Sequence, residues 1–165
     1  MNKEKDKIIS HYEKSIEFVT DLRKLSEVQW RKPIQENKWS IAEIIGHLIP
    51  WDEFLLESRL PCFFQEKNLP KGPDVQKLND EASRKSRVQT KEETIDRFIE
   101  IRTKLMNELI NIEEEKWGQI FYIGNTELSF FQYFSNMLQH DEHHFTQIQS
   151  SMDKSGGSDV DKNRE

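Results

Sequence analysis

Cysteine is almost missing from this chain of 165 residues, and Cys62 is the only one. An internal disulfide is therefore excluded, and a reducing compartment fits better than secretion. Flanked by Pro61 and Phe63, the lone thiol reads as a small buried hydrophobe rather than a nucleophile. Positive charge is also in short supply. Lys and Arg number 24 against 30 Asp and Glu, a formal net charge of −6, and no basic stripe interleaves with aromatics. Nothing electrostatic thus favours a nucleic-acid partner. The charged opening Met1–Lys7 leads into no uninterrupted apolar run, so neither a signal peptide nor a membrane span is expected, and a cytoplasmic location is.

What the chain does have is helical patterning. Hydrophobic residues make up 35% and charged residues 33%, the balance of amphipathic helices with Lys and Glu on their outer faces. The length suits one domain with its own core, taken as residues 1–152, followed by a charged, disordered tail over 153–165. Ile8, Tyr12, Ile16, Val19, Leu22 and Leu25 recur at helical spacing in the first segment. A short turn from Ser26 to Trp30 follows, and Pro33 blocks continuation. Ser40 and Glu43 form a capping box for the second helix, with Trp39 and Ile44 as its hydrophobic staple. Pro50 should bend that helix and free the Gly46 carbonyl. Pro61, Pro70, Gly72 and Pro73 mark irregular chain before a polar helical piece from Asp74 to Arg87. A connection this long lets the next helix run parallel to the last. The third helix starts at the Thr90/Glu93 cap, the fourth at Ser129/Gln132. The expectation is an all-α four-helix bundle.

Three of the five histidines fall in His140-Asp141-Glu142-His143-His144, on the fourth helix. Residues four apart share a helical face, so His140 and His144 point inward together, whereas His143 faces water beside Asn136 and Gln147. Two stacked histidines are either a coupled structural pair or two ligands awaiting a third from another helix. His47 lies on the edge of the second helix, beside Ile44 and Trp51. His11, next to Lys7, Lys14 and Ser15, reads as a solvated surface residue.

Trp39-Ser40-Ile41-Ala42-Glu43-Ile44-Ile45-Gly46-His47-Leu48, followed far down the chain by His140-Asp141-Glu142-His143-His144-Phe145-Thr146-Gln147-Ile148, resembles the DinB/YfiT-like superfamily. The resemblance covers nearly the whole chain. It implies up-down-down-up connectivity, frequent homodimerisation and one divalent metal held by His47, His140 and His144. Zn or Ni is the first expectation for that ion, Fe or Mn the second. Glu43, Asp141 and Gln147 are candidates to orient the imidazoles. Glu43 has a rival role as a cap, and Asp141 a rival role as a solvated charge.

Three imidazoles leave an open position on the ion, the arrangement of a catalytic site. The leading expectation is a metal-dependent enzyme on small molecules. It would transfer a low-molecular-weight thiol of the bacillithiol type to an electrophile, with the metal holding the thiolate. A hydrolase using a bound water is the alternative with the same ligands. A non-catalytic stress-response binding protein is the third reading.

Overall fold

Each long helix begins where a short polar side chain caps it. The computed structural model describes residues 2–65 and 69–164, with side chains described as far as residue 154. Asn2 caps α1 (Lys3–Asp21), which tightens into a turn over Leu22–Lys24. Ser26 and Gln29 close a capping box on the short α2 (Glu27–Arg31), and Ser40 and Glu43 another on α3 (Ile41–Phe54). Asp74 caps α4 (Val75–Val88), the polar helix of the crossover, and Thr90 caps α5 (Lys91–Ile110). Reciprocal bonds between Ser129 and Gln132, at 2.9 and 3.0 Å, start α6 (Phe130–Arg164). Such caps each contribute about 0.5–2 kcal/mol and fix where a helix enters the bundle. The tail expected from Asp153 onward lies, past Lys154, outside the residues with described side chains.

Side-chain pairs give the helix directions. Lys5 near the start of α1 donates to the carbonyls of Ile110 and Ile112, and Lys91 at the start of α5 donates to those of Arg23 and Leu25, so α1 and α5 are antiparallel. Ile41 and Ile95 share a cluster near the two helix starts, and Asp52 meets Arg102 further along, so α3 and α5 run parallel. His11 meets Asp141, and the Phe18 and Phe145 rings lie 4.7 Å apart, so α1 and α6 run parallel. The bundle is therefore up-down-down-up, and the long connection carrying α4 makes the parallel pair possible. Pro50 sits inside α3, and the helix then widens into a π turn over Leu55–Arg59.

Apolar packing occurs in two clusters rather than one. Ile8, Leu55, Leu105, Trp117, Phe130 and Phe134 lead the first; Val19, Trp30, Ile44, Ile45, Ile95, Phe98 and Ile148 lead the second. Between them lies a buried polar belt, to which each long helix contributes: Ser15 from α1, Asp52 from α3, Arg102 from α5 and Asp141 from α6. Arg102, 2% exposed, donates to both oxygens of Asp52 at 2.6 and 3.1 Å, to Asp141 at 2.7 Å and to the Ser15 hydroxyl at 3.2 Å. Its guanidinium also lies 5.1 Å from the Tyr12 ring and 4.7 Å from the Phe98 ring. Every donor is turned to a purpose, which is what lets a charge persist in a core.

A small hairpin precedes α6. Strands β1 (Ile120–Ile123) and β2 (Thr126–Ser129) pair antiparallel around Gly124-Asn125. Gly124 has φ +59, the left-handed conformation that suits glycine at the first central position of a tight hairpin turn. Phe121 packs edge-on against Phe63 at 4.6 Å, fastening the hairpin to the crossover. Among the described residues no helix is long and apolar enough to cross a membrane.

Candidate metal centre

The seam between α3 and α6 brings together the three histidines singled out by the sequence. His140 and His144 lie one above the other on α6 with ring centroids 4.6 Å apart, and His47 on α3 meets them at 6.0 and 4.7 Å. One ligating nitrogen from each lies within 4.8 Å of the others. His47 is buried, His144 half-buried and His140 exposed toward a cavity. The donor set suits a divalent ion of imidazole preference such as Zn²⁺, with three protein nitrogens and a position left open.

Two rings have their orientation fixed. The Nδ1–H of His47 donates to the Ile44 carbonyl in the preceding turn, which turns Nε2 toward the cluster. The Nδ1–H of His144 donates to the Gln147 Oε1 at 3.0 Å, with the same result. Trp39, the staple residue, covers the His47 ring at 4.8 Å. Burial pushes the His47 imidazole down to about 4, and repulsion from His144 adds to the fall. Burial lowers His140 and His144 as well. All three are thus neutral near pH 7, the form in which an imidazole offers a lone pair to a metal.

Of the three outer partners considered from sequence, only Gln147 bonds an imidazole of the cluster. Glu43 remains at the helix start, where its carboxylate accepts from Ser40, from the Ser83 hydroxyl and from Arg87 at 3.1 Å. Asp141 is neither solvated nor a partner of His47, His140 or His144. It is 5% exposed and accepts from Arg102 and from the Nε2–H of His11 at 2.8 Å. His11 is accordingly not a surface residue, because its side chain is 9% exposed. The reason is the belt: Ser15, one turn on, is buried too, so this face of α1 looks inward. His143 is exposed, as its position on the outer face of α6 requires.

The belt and the histidines share a cavity of about 340 Å³. His47 and His140 lie in its wall, with Leu48, Trp51, Leu55 and Met137 as apolar lining. Its far reaches hold Arg59 and Tyr133, while Ile123 and Leu128 of the hairpin and Val75 and Asn79 of α4 close it off. None of these was singled out from sequence. Burial tends to raise Asp141, but the charge of Arg102 and the bond from His11 overcome it and hold the carboxyl at about 2. For Asp52, burial together with repulsion from Asp141 outweighs the pull of Arg102 and lifts it to about 6. The two carboxylates titrate as a unit around one guanidinium, and Asp141 is the one held ionised.

Residues 13–148 match the family model described as the DinB superfamily. Comparison with curated proteins finds no match. Among solved structures, the chain is similar to YfiT from Bacillus subtilis, described as a probable metal-dependent hydrolase with an unusual four-helix bundle topology. The two share 15% sequence identity and a TM-score of 0.78 over 94% of this chain and 90% of that one. At that identity the likeness speaks for the fold. The family match is the stronger finding, because it runs from within α1 into α6 and takes in all three histidines; the chain belongs to the DinB superfamily.

Proposed function

We propose that this protein is a metal-dependent enzyme acting on a small molecule in the α3/α6 cavity, and that its nucleophile is a low-molecular-weight thiol. The observation that carries the first part is the convergence of three neutral imidazoles at the wall of an apolar cavity. His47, His140 and His144 would hold the ion, with Ile44 and Gln147 keeping two of the rings in the ligating tautomer. A divalent ion bound there supplies the charge that keeps a thiol, or a water, deprotonated near neutral pH.

The preference for a thiol rests on the surrounding carboxylates. Glu43 is engaged by Ser40, Ser83 and Arg87, and Asp52 and Asp141 by Arg102, so none is free to act as a general base. Thiol transfer needs no such base. The sulfur–hydrogen bond breaks and its proton passes to solvent, a sulfur–carbon bond forms, and the leaving group departs with its bonding pair. Leu48, Trp51, Leu55 and Met137 keep bulk water from competing. A hydrolase is the second reading, favoured by the description of YfiT as a probable metal-dependent hydrolase.

The test compares metal-loaded protein with monobromobimane plus a panel of cellular thiols against the same protein with a nitrophenyl ester and no thiol. Thiol-dependent conjugation that disappears in His140→Ala supports the transferase. Metal-dependent ester hydrolysis alone supports the hydrolase. Absence of stoichiometric metal in untagged, chelator-free protein overturns both. His140→Ala should lose the metal while its urea stability changes by less than about 1 kcal/mol, because the ring is exposed.

A further inference from the structure

The cavity carries a second polar feature, remote from the histidines. Arg59 lies on the π turn that extends α3, and its guanidinium is held rather than mobile. Its Nε–H donates to the Pro70 carbonyl at 3.2 Å, and one Nη1–H donates to the Tyr133 hydroxyl at 3.0 Å. Its carbon centre lies 5.0 Å from the Phe54 ring and 5.7 Å from the Tyr133 ring. A guanidinium carries five N–H donors, so among the described residues both donors of Nη2 and one of Nη1 remain without a partner. Among the described residues no carboxylate pairs with Arg59, in contrast to Arg102, which is matched by two. Arg59 therefore presents a fixed, half-buried cation with an unused edge to a cavity whose wall is otherwise mostly apolar.

Its position along the cavity sets a length. Tyr133, which anchors Arg59, precedes His140 by two turns on the same face of α6, a separation of about 10 Å. Leu55 and Met137 lie along the wall between them. At the other end Asp52 and Asp141 occupy Arg102, the other arginine in the cavity lining, so among the described residues Arg59 is the lining cation left with donors for an anion.

We propose that Arg59 is the specificity residue for a carboxylate at the far end of the substrate, whose body is apolar and whose reactive group reaches the histidine end. A planar fork with free parallel N–H groups matches the two oxygens of a carboxylate, and aromatic rings on its faces limit competing hydration. This rests on the metal-enzyme reading only for which end of the ligand reacts. Recognition of the carboxylate is a property of the chain alone.

The experiment accordingly begins with metal-free protein, following intrinsic tryptophan fluorescence, to which Trp51 in the cavity wall contributes, as phenylbutyrate or its uncharged amide is titrated. Wild type should bind the acid more tightly than the amide. Arg59→Gln should weaken the acid by roughly tenfold to hundredfold and leave the amide within about twofold. Arg59→Lys, which keeps the charge but loses the fork, should fall between. Tyr133→Phe, which removes only the hydroxyl that aims Arg59, should weaken the acid severalfold and guards against a folding defect in the Arg59 variants. Equal binding of acid and amide to wild type overturns the proposal, as does undiminished acid binding in folded Arg59→Gln. A carboxylate that binds only after metal is added, and still does so in Arg59→Gln, sits on the metal and also overturns it. Arg59-dependent binding in a protein that takes up no metal leaves this proposal standing while the metal-enzyme reading falls.

Discussion

His140 and Asp141 are neighbours in sequence and belong to opposite kinds of polar cluster. Asp141 turns into the belt, where Arg102, Asp52, Ser15 and His11 satisfy one another with no donor to spare. His140 turns into the cavity, and among the described residues its ring has no hydrogen-bond partner, while His47 and His144 each use one nitrogen and leave the other open. A cluster that closes on itself specifies the packing of four helices. One that leaves three lone pairs converging on a point has capacity for a ligand, and the price of that capacity is borne by the closed cluster next to it.

The contrast breaks most severely at Arg102. Arg102→Met leaves two buried carboxylates without a cation, and breaking such a pair costs about 3–5 kcal/mol. Urea denaturation should show a loss of that order or no folded protein at neutral pH; a loss below about 1 kcal/mol would mean the belt is not what holds the bundle.

Acid probes the open cluster next. His47 has a folded pKa near 4, below the ordinary imidazole value of about 6.5. Its neutral form is favoured in the fold, so the stability it contributes is present above about 6.5 and is lost as pH falls toward 4. Asp52, raised to about 6, acts oppositely: its contribution is present below its unfolded pKa of about 3.8 and lost as pH rises through 6. Metal-free wild type and His47→Gln should therefore be compared from pH 7 to pH 5 by urea titration. Wild type should lose more stability than the variant over that interval; parallel curves would show that His47 is already solvated.

The smallest expected effect separates two side chains that look alike from sequence. Gln147→Ala removes the acceptor for His144 and should lower zinc affinity about tenfold to hundredfold with little change in stability. Glu43→Ala should do the reverse, costing about 0.5–2 kcal/mol through the lost cap and the lost acceptor for Ser83 while leaving zinc affinity unchanged. Competition with a chromophoric chelator reads both.

The bundle was legible because its signals are local. Ser40/Glu43 and Ser129/Gln132 announce helix starts, and the spacing of His140 and His144 places them on one face whatever the rest of the chain does. The belt was not legible, since each member looks ordinary until four helices meet. Arg102 did carry a signal: it shares a face with Phe98, Leu105 and Leu109, where a lone cation demands a buried partner. His11 was misread from its charged neighbours Lys7 and Lys14, although Ile8 and Ser15 also flank it and both are buried. The hairpin, absent from the four-helix expectation, has its local signal in Gly124-Asn125, a two-residue loop between Ile-rich and Leu-containing stretches. Arg59 had no signal at all, because its meaning depends on Tyr133 and Pro70 arriving from distant segments.

One contact links the crossover to the site's first histidine. A methyl group built on Gly46 would meet Ser86 at 2.7 Å, too close for either helix to stay where it is. Helix α4 therefore rests directly on the backbone of α3, one residue from His47, and its Val75 and Asn79 edge the cavity. The seam works as a spacer of zero thickness: any side chain at position 46 would be a wedge between α3 and α4 at Ser86. The spacing of α3 and α4 beside the first histidine is thus set at a residue with no side chain to offer, and the crossover and the histidine seam share one fixed distance.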